Sequence, residues 1–352
     1  MGVRFSPLMK MVFKYGIGFK PVYFLRFFVL IPTSVLSEIF TIVEKIKYNK
    51  KIRETRIEKP PVFIIGHWRS GTTFLHQLLY LDKQFTTPTV IQTVIPDHFI
   101  FSTKYWVPVL EKFMPPKRPM DEVEMRPLGP MEDEWAIIRM GAETPFLKIF
   151  FPSRKRGFIS GTDEFIPAGK DLDKWKKEFL FFLKKITFLT HKQIILKNPF
   201  HTPRLSMLAE MFPGAKFIHI VRHPHKIVPS AINMWKVVAG ENAFKGGWMT
   251  LTTKETADLV NKFWHSVSEN KRKLAAGCFA EVRYEDLEKD PSAEIERIYK
   301  ELGLDFSSDH REGINGFIAA KKNYRKNIFN LSQEEKDIIN RTLVDYINHY
   351  NY

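Results

Sequence analysis

From residue 60 onward, short unbroken apolar runs alternate with stretches in which apolar residues return every three or four positions. Val62–Ile65 is of the first kind and predicts a buried strand, since a strand covered on both faces has no polar side to show, and Gln193–Leu196, Lys216–Val221 and Phe279–Tyr284 are further strands by their largely apolar or alternating make-up. Gly71–Leu81 carries Phe74, Leu75, Leu78 and Leu79 at helical spacing. Thr202–Phe212 brings Leu205, Leu208 and Met211 to one side before Pro213-Gly214 ends it. Pro224 suits the first turn of a helix running to about Val238, and another helix opens near Pro291. Ser332-Gln-Glu-Glu335 is a capping box for a last helix with Ile338, Ile339, Leu343 and Ile347. Strand and helix in alternation predict an α/β fold, a mostly parallel sheet flanked by helices on both faces, with ligands at the carboxyl ends of its strands.

Two regions depart from this rhythm. Residues 83–190 hold scattered prolines, acidic residues and an aromatic helix at Trp175–Phe188, and read as an inserted helical region facing the substrate. Upstream, Val22–Val43 is mostly apolar but contains Arg26, Pro32 and Glu38, which suits neither a bilayer span nor a signal peptide. Its mixed character predicts a pair of amphipathic helices packed on the domain. The alternative is a helix lying on a membrane surface, with peripheral contact through residues 1–55 supported by Lys10, Lys14, Lys20 and Arg26 and by Lys45, Lys47, Lys50 and Lys51. The charged run Lys45–Lys59 ends at Pro60-Pro61, which divides an N-terminal segment, 1–59, from a main domain, 60–352.

Composition narrows the partners. A formal charge of +15 favours anionic ligands: nucleotides, sulfated or phosphorylated compounds, or an anionic membrane. The single cysteine, Cys278, can form no intrachain disulfide and fits a reducing, cytoplasmic setting, at the membrane surface if the N-terminal helices dock there. No Cys and His set has metal-ligand spacing, so no metal is expected.

The chemistry begins at Gly66-His-Trp-Arg-Ser-Gly-Thr-Thr73, between the first strand and its helix. Such a loop offers unpaired amides and the positive end of a helix dipole to an anion. Gly66, Gly71 and Thr73 keep the spacing of a nucleotide-triphosphate loop, but Thr72 stands where that loop has its lysine, so the fold is P-loop-like without the group that reaches a γ-phosphate. Arg69 inside the loop supplies a fixed cation instead. The segment resembles the 5′-phosphosulfate loop of sulfotransferases that use 3′-phosphoadenosine 5′-phosphosulfate (PAPS), in the R-S-G-T-T form of bacterial members. Ile218-His-Ile-Val-Arg222 followed by Ser230 is similar to that family's 3′-phosphate site. The resemblance implies that Gly66, Arg69, Ser70, Gly71, Thr72, Thr73, Phe74, Arg222, Ser230 and Tyr284 bind PAPS, with Arg325 and Lys326 closing over the 3′-phosphate. It further implies sulfonate transfer to a hydroxyl or amine acceptor, glycan or lipid-like, with adenosine 3′,5′-bisphosphate as product and no nucleic acid involved.

Sulfonate transfer needs charge on the leaving phosphate, a cation at the sulfonate oxygens and a base for the acceptor's proton. Arg69 suits the first and Lys197, at a strand's carboxyl end, resembles the family's sulfonate lysine. The base candidates are Glu132, Asp133 and Glu134, with Glu134 preferred, and His98 and His201. Two rival readings stand beside this one. A nucleotide kinase would explain the glycine loop but should carry its lysine, and a basic membrane- or nucleic-acid-binding module would explain the charge alone.

Overall fold

The computed structural model describes residues 2–118, 120–121, 123–152, 165–246, 251–320 and 329–352. Alternation along the strands sets the layers. In Val62–Ile65 (β1), Val62 and Ile64 join one apolar cluster while Phe63 and Ile65 join another on the opposite face. All four side chains are therefore buried, as an internal parallel strand requires. Phe85–Thr86 (β2), Gln193–Lys197 (β3), Lys216–Val221 (β4) and Phe279–Arg283 (β5) complete a parallel sheet in the order β2-β3-β1-β4-β5. β1 is its centre, with Phe63 beside Leu196 of β3 and Phe217 of β4.

The helices that concern the site run in chain order: α1 (Phe5–Tyr15), α2 (Pro21–Glu54), α3 (Thr72–Tyr80), α4 (Val90–Val94), α5 (Phe99–Phe113), α6 (Glu134–Arg139), α7 (Leu147–Phe150), α8 (Gly169–Thr190), α9 (Leu205–Met211) and α10 (Pro224–Asn242). On one face Phe63, Leu196 and Phe217 meet Trp175, Phe179 and Phe182 of α8 and Leu205 and Leu208 of α9. On the other, Leu75, Leu78 and Leu79 of α3 pack with Ile295, Ile298 and Leu302 of the helix Pro291–Leu302. Each such side chain contributes about 1.5–3 kcal/mol by leaving water.

The N-terminal segment differs from expectation. The pair of helices is present, but the second continues through the charged run to Glu54, and Pro32 does not break it. Nearby hydroxyls bond turn carbonyls around the proline: Thr33 Oγ1 donates to Leu30 O at 3.0 Å and Ser34 Oγ to Ile31 O at 2.7 Å. The amphipathicity of α2 is inverted. Ser34, Ser37, Thr41 and Glu44 form its buried stripe, while Leu25, Phe28, Val35, Ile39 and Ile46 face outward. Glu44 pairs with the buried Lys185 of α8 at 2.5 Å and accepts the Phe101 N–H of α5, so α2 is fastened along the body by polar contacts. At the C-terminus the capping box at Ser332 forms as expected, but the final helix divides at Leu343 into Gln333–Thr342 and Val344–Tyr350.

Candidate active site

Beyond β1 the backbone turns through conformations that only particular residues tolerate. Gly66 has φ +145° and Gly71, which caps α3, has φ +103°. A β-carbon on Gly66 would lie 2.5 Å from Ile220 O, and one on Gly71 2.2 Å from the Tyr284 ring, so the loop is pressed against β4 and β5's exit by its two glycines. Gly66 N–H donates to Thr202 Oγ1 at 2.8 Å, and that hydroxyl returns a bond to Gly66 O at 3.0 Å. Ser70 Oγ closes the turn on His67 O at 2.7 Å. Thr72 and Thr73 then present first-turn amides, which have no intrahelical acceptor, to a chamber of about 350 Å³.

Arg69 occupies the left-handed region, φ +69°, uncommon for a side-chain-bearing residue and typical of functional loops. Its Nε donates to Ser230 Oγ of α10 at 2.8 Å and its Nη1 to Asp121 Oδ2 at 2.7 Å. Asp121 also holds Arg118, at 2.7 Å. Burial alone would raise the Asp121 carboxyl, but Arg118 and Arg69 keep it below the usual carboxylate range. Neither Arg118 nor Asp121 stands out in the sequence, because their i, i+3 spacing within a charge-rich stretch looks like any solvated surface.

Arg222, at the end of β4, crosses the same chamber. Its guanidinium lies 4.1 Å from the centre of the Tyr284 ring, Nη1 donates to Arg69 O at 3.2 Å, and its buried Nε has no partner among the described residues. Phe74 meets Tyr284 edge-on at 6.2 Å. Carboxyl ends of β1, β4 and β5 thus converge on one anion-sized cradle. Arg325 and Lys326 lie outside the described residues.

A second chamber, about 120 Å³, adjoins the first, and Trp68, Thr73, Gln77, Arg118 and Glu132 line both. Lys197, from the end of β3, opens into this second chamber with its ammonium on Glu132 Oε1. Burial lowers the Lys197 pKa, Glu132 opposes that shift and Arg118 adds to it. His76 of α3 also lines the chamber, bonded to Thr87 Oγ1 at 2.8 Å. Burial, with Lys197 nearby, drives its pKa far down.

The other base candidates lie elsewhere. Glu134 is fully buried and grips Arg204 through both oxygens, at 2.7 and 3.0 Å, while accepting Asn198 Nδ2 at 2.9 Å. His201, also fully buried, has Nε2 2.9 Å from Asp133 and packs against Phe63 and Phe179. His98 bonds Ser102 at 2.6 Å on the side of α2 and packs near Phe40. Burial, then Lys185, pushes its pKa down to about 3. Asp133, Glu134 and His201 lie close enough to share an ion, but Arg204 already supplies the positive charge that Glu134 needs.

The family model described as the sulfotransferase family matches residues 60–308, from β1 through the two helices that follow β5. The chain belongs to the sulfotransferase family. Omega-hydroxy-beta-dihydromenaquinone-9 sulfotransferase Stf3 of Mycobacterium bovis is 32% identical over 319 residues, 91% of this chain and 82% of its own length, as is the same enzyme of Mycobacterium tuberculosis. Among solved structures, sulfotransferase STF9 of Mycobacterium avium superposes with a TM-score of 0.72 at 15% identity, covering 99% of this sulfotransferase and 97% of that chain. STF1 of Mycobacterium tuberculosis gives 0.63 at 17% identity, with 95% and 90% covered. These two share the fold. The sulfotransferase is thus an enzyme with a P-loop-like α/β fold.

Proposed function

We propose that this sulfotransferase moves the sulfonate of PAPS to the hydroxyl of a long-tailed, lipid-like acceptor, with Glu132 as the base. The observation that carries the reading is the junction of the two chambers. Phosphate-binding groups fill one, and the Lys197–Glu132 pair faces the other. The donor's two phosphate ends fit this cradle. The start of α3 with Arg69 suits the 5′ end, and Arg222, whose Nε has no partner among the described residues, suits the 3′-phosphate together with Ser230, which Arg69 Nε holds at 2.8 Å. The bound donor supplies the sulfonate and leaves as adenosine 3′,5′-bisphosphate.

The residues divide the work by position. Glu132 takes the acceptor hydroxyl's proton as the oxygen–sulfur bond forms, Lys197 holds the sulfonate oxygens, and Arg69 carries the charge released on the phosphate as the sulfur–oxygen bond breaks. Arg222→Ala is expected to weaken adenosine 3′,5′-bisphosphate binding about ten- to a hundredfold in calorimetry, since a hydrogen bond to a charged group is worth about 1.5–3 kcal/mol. Unchanged affinity would remove Arg222 from the 3′-phosphate site and with it the donor assignment.

A lipid-like acceptor follows from two observations. The Stf3 relatives are named for a hydroxylated menaquinone, and α2 turns its apolar side chains outward. Among the described residues α2 is the one helix apolar enough to cross a bilayer, its best window having mean hydropathy 1.7, yet its polar stripe is fastened to α5 and α8. Small and hydroxyl residues turned inward with large apolar ones outward match a helix lying in the membrane interface, its flanking lysines meeting anionic headgroups. Cosedimentation with phosphatidylglycerol-containing vesicles is expected for the wild type. The triple variant Leu25→Glu, Phe28→Glu, Ile39→Glu should partition at least ~10-fold less, each lost apolar side chain being worth up to about 1.5–3 kcal/mol. Equal partition of the two would exclude this face.

A further inference from the structure

A third cavity, about 450 Å³, lies beneath the N-terminal helices, away from both chambers of the active site. Leu8 of α1 and Leu25, Val29 and Leu30 of α2 line it on one side. Its inner wall is built from the same two helices as the smaller active-site chamber, displaced by one turn. Trp135 of α6 and Val238 of α10 line the chamber, while Ile138 and Arg139 of α6 and Glu241 and Asn242 of α10 line the cavity. What separates the two spaces is one aromatic layer. The Trp135 ring meets Phe146 edge-on at 4.6 Å and Phe150 at 5.9 Å; Phe146 belongs to the chamber wall and Phe150 to the cavity wall.

Of the charged residues that line the cavity, the two arginines are bonded to backbone carbonyls and Glu241 is exposed. Arg26 donates to the Ala243 and Gly240 carbonyls, and Arg139 caps Trp135 O at 2.7 Å. Its outer rim is the outward face of α2, where Leu25 is 65% and Val29 48% exposed. The volume falls within the range of small-ligand sites. An apolar space that opens on the proposed bilayer face and is separated by one aromatic layer from the chamber that Lys197 and Glu132 line has the layout of a tail site.

We infer that this cavity holds the apolar tail of the acceptor, which enters from the membrane beneath α2 and passes Trp135 to place its hydroxyl at Glu132. The inference rests on the lipid-acceptor reading above. Trp135 is a positioning residue here: it separates tail from reacting group and sets how far the hydroxyl advances.

Calorimetry on the protein loaded with adenosine 3′,5′-bisphosphate tests it, with 1-hexanol, 1-octanol, 1-decanol and 1-dodecanol as probes. Affinity should climb steeply with chain length, up to about fourfold per methylene, the factor that ~0.8 kcal/mol per buried CH₂ corresponds to. Val29→Trp, which plugs the cavity from a partly exposed position, should flatten that climb. Phe150→Ala, which enlarges the cavity, should keep or steepen it. Nucleotide affinity serves as the folding control for both variants. A wild type with no dependence on chain length, or a Val29→Trp variant with the wild-type dependence, would overturn the inference. Turnover of the same alcohols with PAPS separates it from the reading beneath. Length-dependent binding without any sulfonation refutes the hydroxyl-acceptor assignment and supports the cavity. Sulfonation whose KM ignores both chain length and Val29→Trp refutes the cavity and leaves the acceptor chemistry in place.

Discussion

Glu132→Gln is expected to lower kcat by about 10²–10⁴-fold, the usual worth of a positioned general base, while adenosine 3′,5′-bisphosphate binds with nearly unchanged affinity. Glutamine keeps the shape and one acceptor oxygen for Lys197 but cannot accept a proton. Nucleotide affinity is spared because the carboxylate sits at the junction of the two chambers, paired with Lys197, and glutamine fills the same volume. A single-turnover measurement with saturating donor isolates the chemical step. Wild-type turnover in this variant would transfer the role to another group lining the smaller chamber, where His76 is the next candidate by position.

Glu134→Gln should behave in the opposite way. Its expected effect is a loss of about 3–5 kcal/mol in stability, the cost of leaving one partner of a buried ion pair uncompensated. Arg204 is fully buried, and its two terminal nitrogens meet the two Glu134 oxygens. The glutamine amide would replace one accepting oxygen with a donor aimed at another donor. Urea unfolding should show a lower midpoint with the same slope, and each folded molecule should turn over near the wild-type rate. Retained stability with lost turnover would return the base to Glu134.

That contrast marks where sequence ceases to be sufficient. β1 is legible because a parallel strand buried on both faces is apolar throughout, β3 and β4 because their centres are apolar, and β5, at the sheet edge, because its apolar residues alternate with Glu281 and Arg283. β2 is not, since two residues, Phe85 and Thr86, carry no period. The loop between β1 and α3 is legible because its glycines answer to local sterics, at Ile220 and Tyr284, that no other residue type would satisfy. Glu132 and Glu134 are two positions apart, and spacing alone separates their directions without saying which faces the reaction. Arg204, distant in sequence, pairs with Glu134, and that pairing is what favours Glu132 in the proposed role. The same holds for α2, whose apolar residues are plain in the sequence. Only the packing of Ser34, Ser37, Thr41 and Glu44 shows that they point away from the protein.

Thr202 gives the site a mechanical property. Its hydroxyl bonds both the N–H and the C=O of Gly66, at 2.8 and 3.0 Å, tying the glycine loop to the turn that follows Lys197. The strands beneath them, β1 and β3, are hydrogen-bonded neighbours. These bonds link loop and lysine, so the spacing between the glycine loop and the ammonium is set by the fold itself. Reorganisation energy that a looser site would spend at each turnover is met once, when the chain folds.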